Sequence, residues 1–449
     1  MISVRGYFHS VRLDREKCTG CVNCIKKCPT EAIRVRHGKA EINEQKCIDC
    51  GECIGACPRK AKYVEIDSLE LLNSYKYTIA LPPPSLYGQF PPSVTPGQIL
   101  AALIDLGFDD VFEVAVGAEI VAAETRRLFR TGELKGPVIS SNCPAVVRLI
   151  QVRFPELTKR ILPLDPPSEV AGRIARQLKS RELGMAEEDI GVFYLTPCAA
   201  KVTSIKAPEG GLPSYIDGAF SIQQLFPLIS RSLKNVQGRG RQQRASGLGV
   251  GFGIPGGEVK AVGRENSLIV EGIGNVDNAL EELEMGHIEG IDYIEAKACN
   301  GGCVGGILNV VNGYVAQVRL ERIVRELDQV HEPLEERWPN LAQLNFKVPR
   351  IRVEPRPMQP LDSDINGAMA KMVAAEGILR TLPGLDCGAC GAPSCKALAE
   401  DIAQGKSNAN SCIFILRERI MALGMKVYNL AGIGTRMEEQ RGDKEEGEE

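Results

Sequence analysis

The sequence predicts an α/β protein with a largely parallel central sheet, preceded by a small cysteine-rich α+β unit and followed by a small helical one. Three observations carry this. Residues 67 to 348 alternate short apolar runs with helical patterns. Residues 1 to 66 hold eight of the sixteen cysteines in two similar runs. A proline-rich stretch, 349 to 362, then separates off a segment, 363 to 430, with four more cysteines.

The bulk numbers exclude several classes. With 449 residues, 44% hydrophobic and 25% charged, the chain has material for two to four domains of ordinary globular composition. A net charge of −3 gives no general attraction to nucleic acid or a membrane surface. Met1 to Asp14 lack the apolar core of a secretory signal, and no run of 18 apolar residues exists to span a bilayer. A cytoplasmic location is expected, and in a reducing compartment clustered cysteines point to metal rather than disulfides.

The first cysteine run is Cys18-Thr-Gly-Cys21-Val-Asn-Cys24-Ile-Lys-Lys-Cys28-Pro29, and the second is Cys47-Ile-Asp-Cys50-Gly-Glu-Cys53-Ile-Gly-Ala-Cys57-Pro58. Both have the bacterial ferredoxin spacing, whose fourth cysteine ligates the other cluster. Cys18, Cys21, Cys24 and Cys57 are therefore expected to hold one [4Fe–4S] cluster, and Cys47, Cys50, Cys53 and Cys28 a second. Zinc rarely takes three cysteines at two-residue gaps, twice, each with a trailing Cys-Pro.

In the central region the expected strands include Tyr77 to Ala80, Val111 to Val114, Pro137 to Ser140 and Val192 to Leu195. Ile120 to Arg130 and Glu169 to Lys179 read as helices. Its four cysteines sit in loop-like contexts: Ser140-Ser-Asn-Cys143-Pro, Leu195-Thr-Pro-Cys198-Ala-Ala-Lys201 and Lys297-Ala-Cys299-Asn-Gly-Gly-Cys303-Val-Gly-Gly306. Loops after strands are where α/β folds place chemistry, and glycine lets backbone approach something bulky. Four thiolates from three such loops could hold a further cubane between two lobes. The bland alternative, buried structural cysteines, predicts cysteine inside apolar runs, whereas each of these lies near proline or glycine. The stretch Gly247-Leu-Gly-Val-Gly-Phe-Gly253 lacks the dinucleotide fingerprint and is expected as a loop of this domain.

After the prolines come Cys387-Gly-Ala-Cys390-Gly-Ala-Pro-Ser-Cys395 and Cys412, with a helix expected from Lys396 to Gln404. The pattern resembles a small [4Fe–4S] domain of electron-transfer and one-carbon enzymes, with zinc as the rival. Eight, four and four account for every cysteine. The charged tail, 431 to 449, reads as disordered. His9, His37, His287 and His331 fall in no ligand-like spacing and receive no role.

The three central motifs, in this order behind a ferredoxin-like segment, resemble those of the [FeFe]-hydrogenases, over roughly residues 1 to 330. Gly107-Phe-Asp-Asp-Val-Phe112, Phe154-Pro-Glu-Leu157 and Gly251-Phe-Gly-Ile-Pro-Gly-Gly257 also look like that family. The resemblance implies a two-lobed domain in which Cys143, Cys198, Cys299 and Cys303 hold a cubane. Cys303 would bridge it to a two-iron centre carrying carbon monoxide, cyanide and a dithiolate. Lys201 would grip a cyanide, and hydrogen would be split or formed there. It also implies hydrogen and protons as substrates, a redox partner protein, and maturation proteins for the two-iron centre. The family's proton-relaying cysteine is here Asn142, an amide that does not titrate. The rest of its relay falls on Leu162, Thr125 and Leu128, with Glu124 the nearest carboxylate, and Thr196 and Lys297 replace two methionines. Lys297 is either a buried charge or an exposed surface lysine. These departures imply slow turnover, fitting hydrogen sensing or redox signalling better than bulk production. The alternative is a catalytically silent iron–sulfur protein of the same fold, acting in cluster assembly or electron relay.

Overall fold

The apolar runs between residues 77 and 297 build two parallel sheets. In chain order the strands of this computed structural model are β1 (Val11–Leu13), β2 (Ile33–Arg36), β3 (Lys39–Ile42), β4 (Lys62–Val64), β5 (Tyr77–Leu81), β6 (Asp110–Val111), β7 (Val138–Ile139), β8 (Ile190–Thr196), β9 (Gly218–Ser221), β10 (Ser267–Glu271) and β11 (Tyr293–Lys297). The structure describes residues 8–236, 240–328, 334–337, 347–356, 361–362 and 364–430. The chain divides into two compact units, Met1–Lys17 with Asn43–Met358, and Cys18–Ile42 with Gln359–Glu449.

In the first unit, one sheet has the order β6-β5-β8-β9 and the other β10-β11-β7, every pairing in them parallel. Every residue of β8 is buried, as expected where helices cover both faces of a parallel sheet. Phe193 of β8 stacks on Phe220 of β9 with ring centres 5.3 Å apart, in a core shared with helices Val114–Arg130 and Pro167–Leu183. Those two helices contain the runs expected at 120–130 and 169–179. A second core under the other sheet joins Ile139 and Ile294 to helix Pro144–Arg153.

Two expectations need correction. The strand expected over Val111 to Val114 ends at Val111, and a helix begins at Val114. Glu113 forces the turn: its buried carboxylate accepts from the Tyr87 hydroxyl at 2.9 Å and from the Arg244 N–H at 2.7 Å. The glycine-rich stretch is not a loop but a helical turn, Gly247–Val250, followed by a 3-10 turn, Gly251–Gly253. A Cβ built on Gly249 would lie 2.1 Å from the Ala115 carbonyl oxygen, so the glycines permit close helix contact. Gly249→Ala is expected to lower stability by about 1–3 kcal/mol through overpacking, read as a lower denaturation midpoint.

The segment 349–356 carries neither helix nor strand. It is strapped along the first unit, with Ile351 N–H bonded to the Pro163 carbonyl, Arg356 N–H to Gln151, and Val353 buried. Pro357, Pro360, His331 and the 431–449 tail lie outside the described residues.

The second unit joins the β2–β3 hairpin with helices Ile365–Leu379, Cys395–Ala403 and Ile413–Leu430. Ser394 caps the middle helix by accepting from Ala397 N–H at 3.0 Å. Asp401 on that helix meets Arg34 and Arg36 of β2, each at 2.8 Å.

Candidate metal centre

Parallel strands all point their carboxyl ends one way, and three of them deliver the central cysteines. Cys143 follows β7 and caps helix Pro144–Arg153, and Cys198 follows β8 and caps helix Ala199–Lys206. Cys299 follows β11, and Cys303 sits in the 3-10 turn Gly302–Gly305. A helix N-terminus favours thiolate. Burial works the other way: it pushes Cys143 up, Cys198 up to about 12 and Cys299 well above the ordinary thiol range, and the neighbouring thiols add to it. Thiols raised in this way need a cationic centre beside them to be held ionised.

The cradle fits a bulky one. Gly301 and Gly302 are left-handed, at φ of 78° and 76°. A Cβ on Gly305 would meet the Asn300 carbonyl oxygen at 2.0 Å, and one on Gly306 the Pro197 carbonyl oxygen at 2.4 Å. Among the described residues, His9, Cys47 and Asp49 gather three ligand atoms within 4.8 Å of one another. The donors suit a [4Fe–4S] cluster.

Lys201, buried on the first turn after Cys198, donates to the Asn142 carbonyl at 3.2 Å, and its charge lowers the pKa of Cys143 and Cys198. Its ammonium also lies 5.8 Å from the centre of the Tyr194 ring, a cation–π contact. Thr196 is buried and donates to the Cys198 carbonyl at 2.8 Å, which shapes the loop. Lys297 is 3% exposed and no surface lysine. It pairs with Glu295 at 2.5 Å and donates to the carbonyls of Ile254 at 2.7 Å and Phe252 at 3.0 Å. Burial opposes its charge, but Glu295, Cys303 and Glu258 outweigh that and hold its pKa above normal.

The expected relay positions hold nothing that carries a proton inward. Leu128 and Leu162 are buried apolar, Thr125 donates to the Val121 carbonyl within its own helix, and Glu124 is clamped by Arg127 through two 2.8 Å bonds. The titratable groups lie elsewhere and were missed. The Glu258 carboxyl accepts from Ser140 at 2.5 Å and Tyr293 at 2.7 Å, both on Oε1, and Ser140 Oγ also accepts from Asn142 N–H at 3.1 Å. Its buried Oε2 has no partner among the described residues. Burial, with Glu295 beside it, raises the Glu258 pKa. The signal was available in β11: Tyr293, Glu295 and Lys297 alternate onto one face of a fully buried strand.

A second acidic group surrounds a cavity of about 30 Å³ lined by Ser141, Asp165, Glu169 and Glu209. Burial raises Asp165 to about 6 and Glu169 to about 7. The unfolded chain titrates Glu169 near 4.5, so between there and about 7 the folded chain binds more protons. Stability is expected to fall by roughly 2–4 kcal/mol as pH rises through that window and then level off. Glu169→Gln should flatten the slope, measured by denaturant midpoints across the range.

Of the other cysteines, Cys47, Cys50, Cys53 and Cys57 lie in the first unit, and Cys18, Cys21, Cys24 and Cys28 in the second. Main-chain N–H groups point at several sulfurs: Ala32 at Cys28 (3.2 Å), Ala61 at Cys57 (3.3 Å) and Ala40 at Cys18 (3.4 Å). His9 was given no role, yet it lies 3.1 Å from Asp49, beside Cys47. Asp49 in turn meets Arg148 at 3.3 Å, and Arg148 meets Glu209 at 2.6 Å.

In the second unit Cys387 and Cys412 are close enough to raise the Cys390 pKa, after its burial. Gly391, at φ 82°, accepts from Val35 N–H at 2.8 Å, and a Cβ there would sit 1.9 Å from the Val35 carbonyl oxygen. A Cβ on Gly388 would touch Ile25 at 3.3 Å, so the Cys387–Cys395 segment packs directly on the Cys21–Cys28 loop.

Two parallel sheets that converge on a half-buried set of four cysteines, with cysteine-rich segments in both units, define an iron–sulfur protein. Family comparison agrees: the 4Fe–4S dicluster domain matches residues 10–58 and an Fe–S cluster domain residues 382–414. The C-terminal domain of the iron-only hydrogenase large subunit matches 76–267 and 264–307, more than half of the chain. The chain belongs to the iron-only hydrogenase family. It is 25% identical over 350 residues to the NADP-reducing hydrogenase subunit HndD of Solidesulfovibrio fructosivorans, a match covering 64% of this chain and 55% of that one. The chain thus spans about half the length of that relative. It is also 27% identical over 107 residues to the cytosolic Fe–S cluster assembly factor NAR1 of Scheffersomyces stipitis, covering 23% of this chain and 20% of that one. Among solved structures, a variant of the [FeFe]-hydrogenase HydA1 from Chlamydomonas reinhardtii shares the fold at a TM-score of 0.50 and 15% identity, over 63% of this chain and 95% of that one. Among the described residues, no helix is long and apolar enough to cross a membrane.

Proposed function

We propose that the protein is a slow, hydrogen-reactive [FeFe]-hydrogenase used in hydrogen sensing or redox signalling in the cytoplasm. The observation that carries this reading is the buried Lys201, which donates to the Asn142 carbonyl and sets its charge near Cys143 and Cys198. A cationic donor there fits an anionic ligand. When bound, a [4Fe–4S] cluster with a two-iron centre, which Cys143, Cys198, Cys299 and Cys303 would hold, would supply the reversible cleavage of hydrogen.

The chain's own residues do the rest. Cys143, Cys198, Cys299 and Cys303 hold and orient the cubane. Lys201 holds a positive charge beside it. Thr196 fixes the Cys198 loop, and Lys297, tied to Glu295 and two carbonyls, keeps its charge in place rather than moving a proton. Asn142 does not titrate, and the carboxyl linked to its N–H, through the Ser140 hydroxyl, is Glu258. Loss of a positioned acid–base group at 142 accounts for slow turnover, commonly ~10²–10⁴-fold. Electrons would leave through three further [4Fe–4S] clusters, held by Cys18, Cys21, Cys24 and Cys57, by Cys47, Cys50, Cys53 and Cys28, and by Cys387, Cys390, Cys395 and Cys412. A redox partner protein would receive them, and maturation proteins would install the two-iron centre. The contact of Gly388 and Gly391 with the Cys21–Cys28 loop and β2 supports a short path from the third of these clusters.

The test is infrared spectroscopy of anaerobically purified protein after supply of the two-iron cofactor. Carbon monoxide and cyanide bands that shift under hydrogen are expected. Asn142 and the likeness to NAR1 favour a second reading, a catalytically silent cluster protein of assembly or electron relay. Absence of those bands with full cubane content would establish that reading instead.

A further inference from the structure

The last helix, Ile413–Leu430, leaves the C-terminal cysteine set directly after Cys412, and most of it meets no other element. Its N-terminal turn is anchored through Phe414 and Ile415, which pack on the small core of the second unit. Along its length it carries Ile413, Leu416, Ile420, Leu423, Val427 and Leu430 at spacings that alternate three and four, all exposed, from 39% to 87%, with Met421, Met425 and Tyr428 exposed outside that stripe. A helix reads amphipathic in this way either because it faces a core or because it faces another helix. No core of this chain covers this one among the described residues.

The residue types select the occupant. In heptad terms the first positions are Ile413, Ile420 and Val427, all β-branched, and the fourth positions are Leu416, Leu423 and Leu430. That pairing favours a parallel two-stranded coiled coil. The flanking positions are Arg417, Arg419, Gly424 and Lys426. In a parallel, in-register pair Arg419 faces Gly424 of the other helix and Arg417 faces Cys412, so no two like charges are set against each other. An acidic foreign helix would satisfy the same arginines, but the chain needs no such partner to avoid repulsion. The seam ends where it should: the next two seam positions in the sequence are Gly434 and Met437, after Gly432. Twelve seam side chains at roughly 100 Å² apiece come to about 1,200 Å², the lower end of specific interfaces.

We infer that the chain self-associates through this helix as a parallel two-stranded coiled coil. Parallel alignment sets Cys412 of the two protomers at the same end of the coil. The two C-terminal cysteine sets become neighbours across a twofold axis, a geometry in which one chain's cluster can exchange electrons with its partner's. The association is weak enough to respond to concentration, since two and a half heptads make a short seam.

The test is sedimentation velocity of the full, cluster-loaded chain from about 0.5 to 100 µM, with iron content measured in parallel. A shift from one to two chain masses across that range is expected. The double variant Ile420→Asp and Leu423→Asp should stay monomeric at least 50-fold higher in concentration with its iron unchanged. Met421→Glu with Met425→Glu, on the outer face, should dimerise as the natural sequence does. Val427→Cys reacted anaerobically with a short bis-maleimide should give cross-linked dimers if the helices run parallel. A monomer throughout, a dimer that survives the seam variant, or a chain that instead floats with phosphatidylserine vesicles would each overturn the inference.

Discussion

Cys299→Ser is expected to remove one whole cluster, lowering iron by about four atoms per chain and abolishing any hydrogen-dependent reaction. Cys299 has no substitute nearby. It is half-buried, its pKa is driven up first by burial and then by three other thiols, and the turn that follows it, Gly301–Gly302, is left-handed backbone that carries no side chain. Serine is a poorer donor and cannot be held ionised there. The remaining clusters should persist, because their cysteines lie in other segments, so the iron loss should be partial and the protein should remain folded. Iron analysis with paramagnetic resonance of the reduced protein reads both. Undiminished iron would mean that Cys299 is no ligand and that the four central cysteines are structural.

Glu258→Gln is expected to lower hydrogen turnover by about 10²-fold or more while leaving the infrared bands of the loaded protein in place. Glutamine keeps the shape and still accepts from Ser140 and Tyr293, so the fold is preserved. It cannot deliver a proton. Burial and Glu295 raise the Glu258 pKa, so the proton is present at lower pH. Activity that depends on it should therefore fall as pH rises through that raised value, and the variant should lose this limb of the profile. An unchanged rate would remove Glu258 from the proton route, whatever the state of the two-iron centre.

Much of the site could be read from residue spacing alone, because cluster ligation demands cysteines at fixed intervals in short loops. Cys143 and Cys198 were expected after strands, and β7 and β8 are there; the strand before Cys299, β11, was not read. Lys201 was readable only through the family resemblance, as the lysine of the Pro-Cys-x-x-Lys motif. Glu258 was not: it touches Ser140 across 118 residues of sequence, and a glutamate after two glycines looks like surface. Lys297 was ambiguous for the same reason, since its charge is set by Glu295 and two carbonyls that only folding brings near. The helical turn at Gly247 hid behind its glycines, which are poor helix formers chosen for contact with Ala115 rather than for propensity. The bonds of Arg34 and Arg36 to Asp401 span more than 360 residues, beyond the reach of any local pattern.

That last pairing sets an order on how the protein is made. Residues 18–42 emerge early from the ribosome, but their packing partner begins at residue 359. At typical synthesis rates of about 5–20 residues per second, the early loop waits roughly 20–60 s for it. During that interval Cys18, Cys21, Cys24 and Cys28 have no Gly391 to lean on and no Asp401 to neutralise the arginines beside them. The first ligands made are thus among the last to be enclosed. A chain that stops short of residue 359 leaves these four thiols without their packing partner.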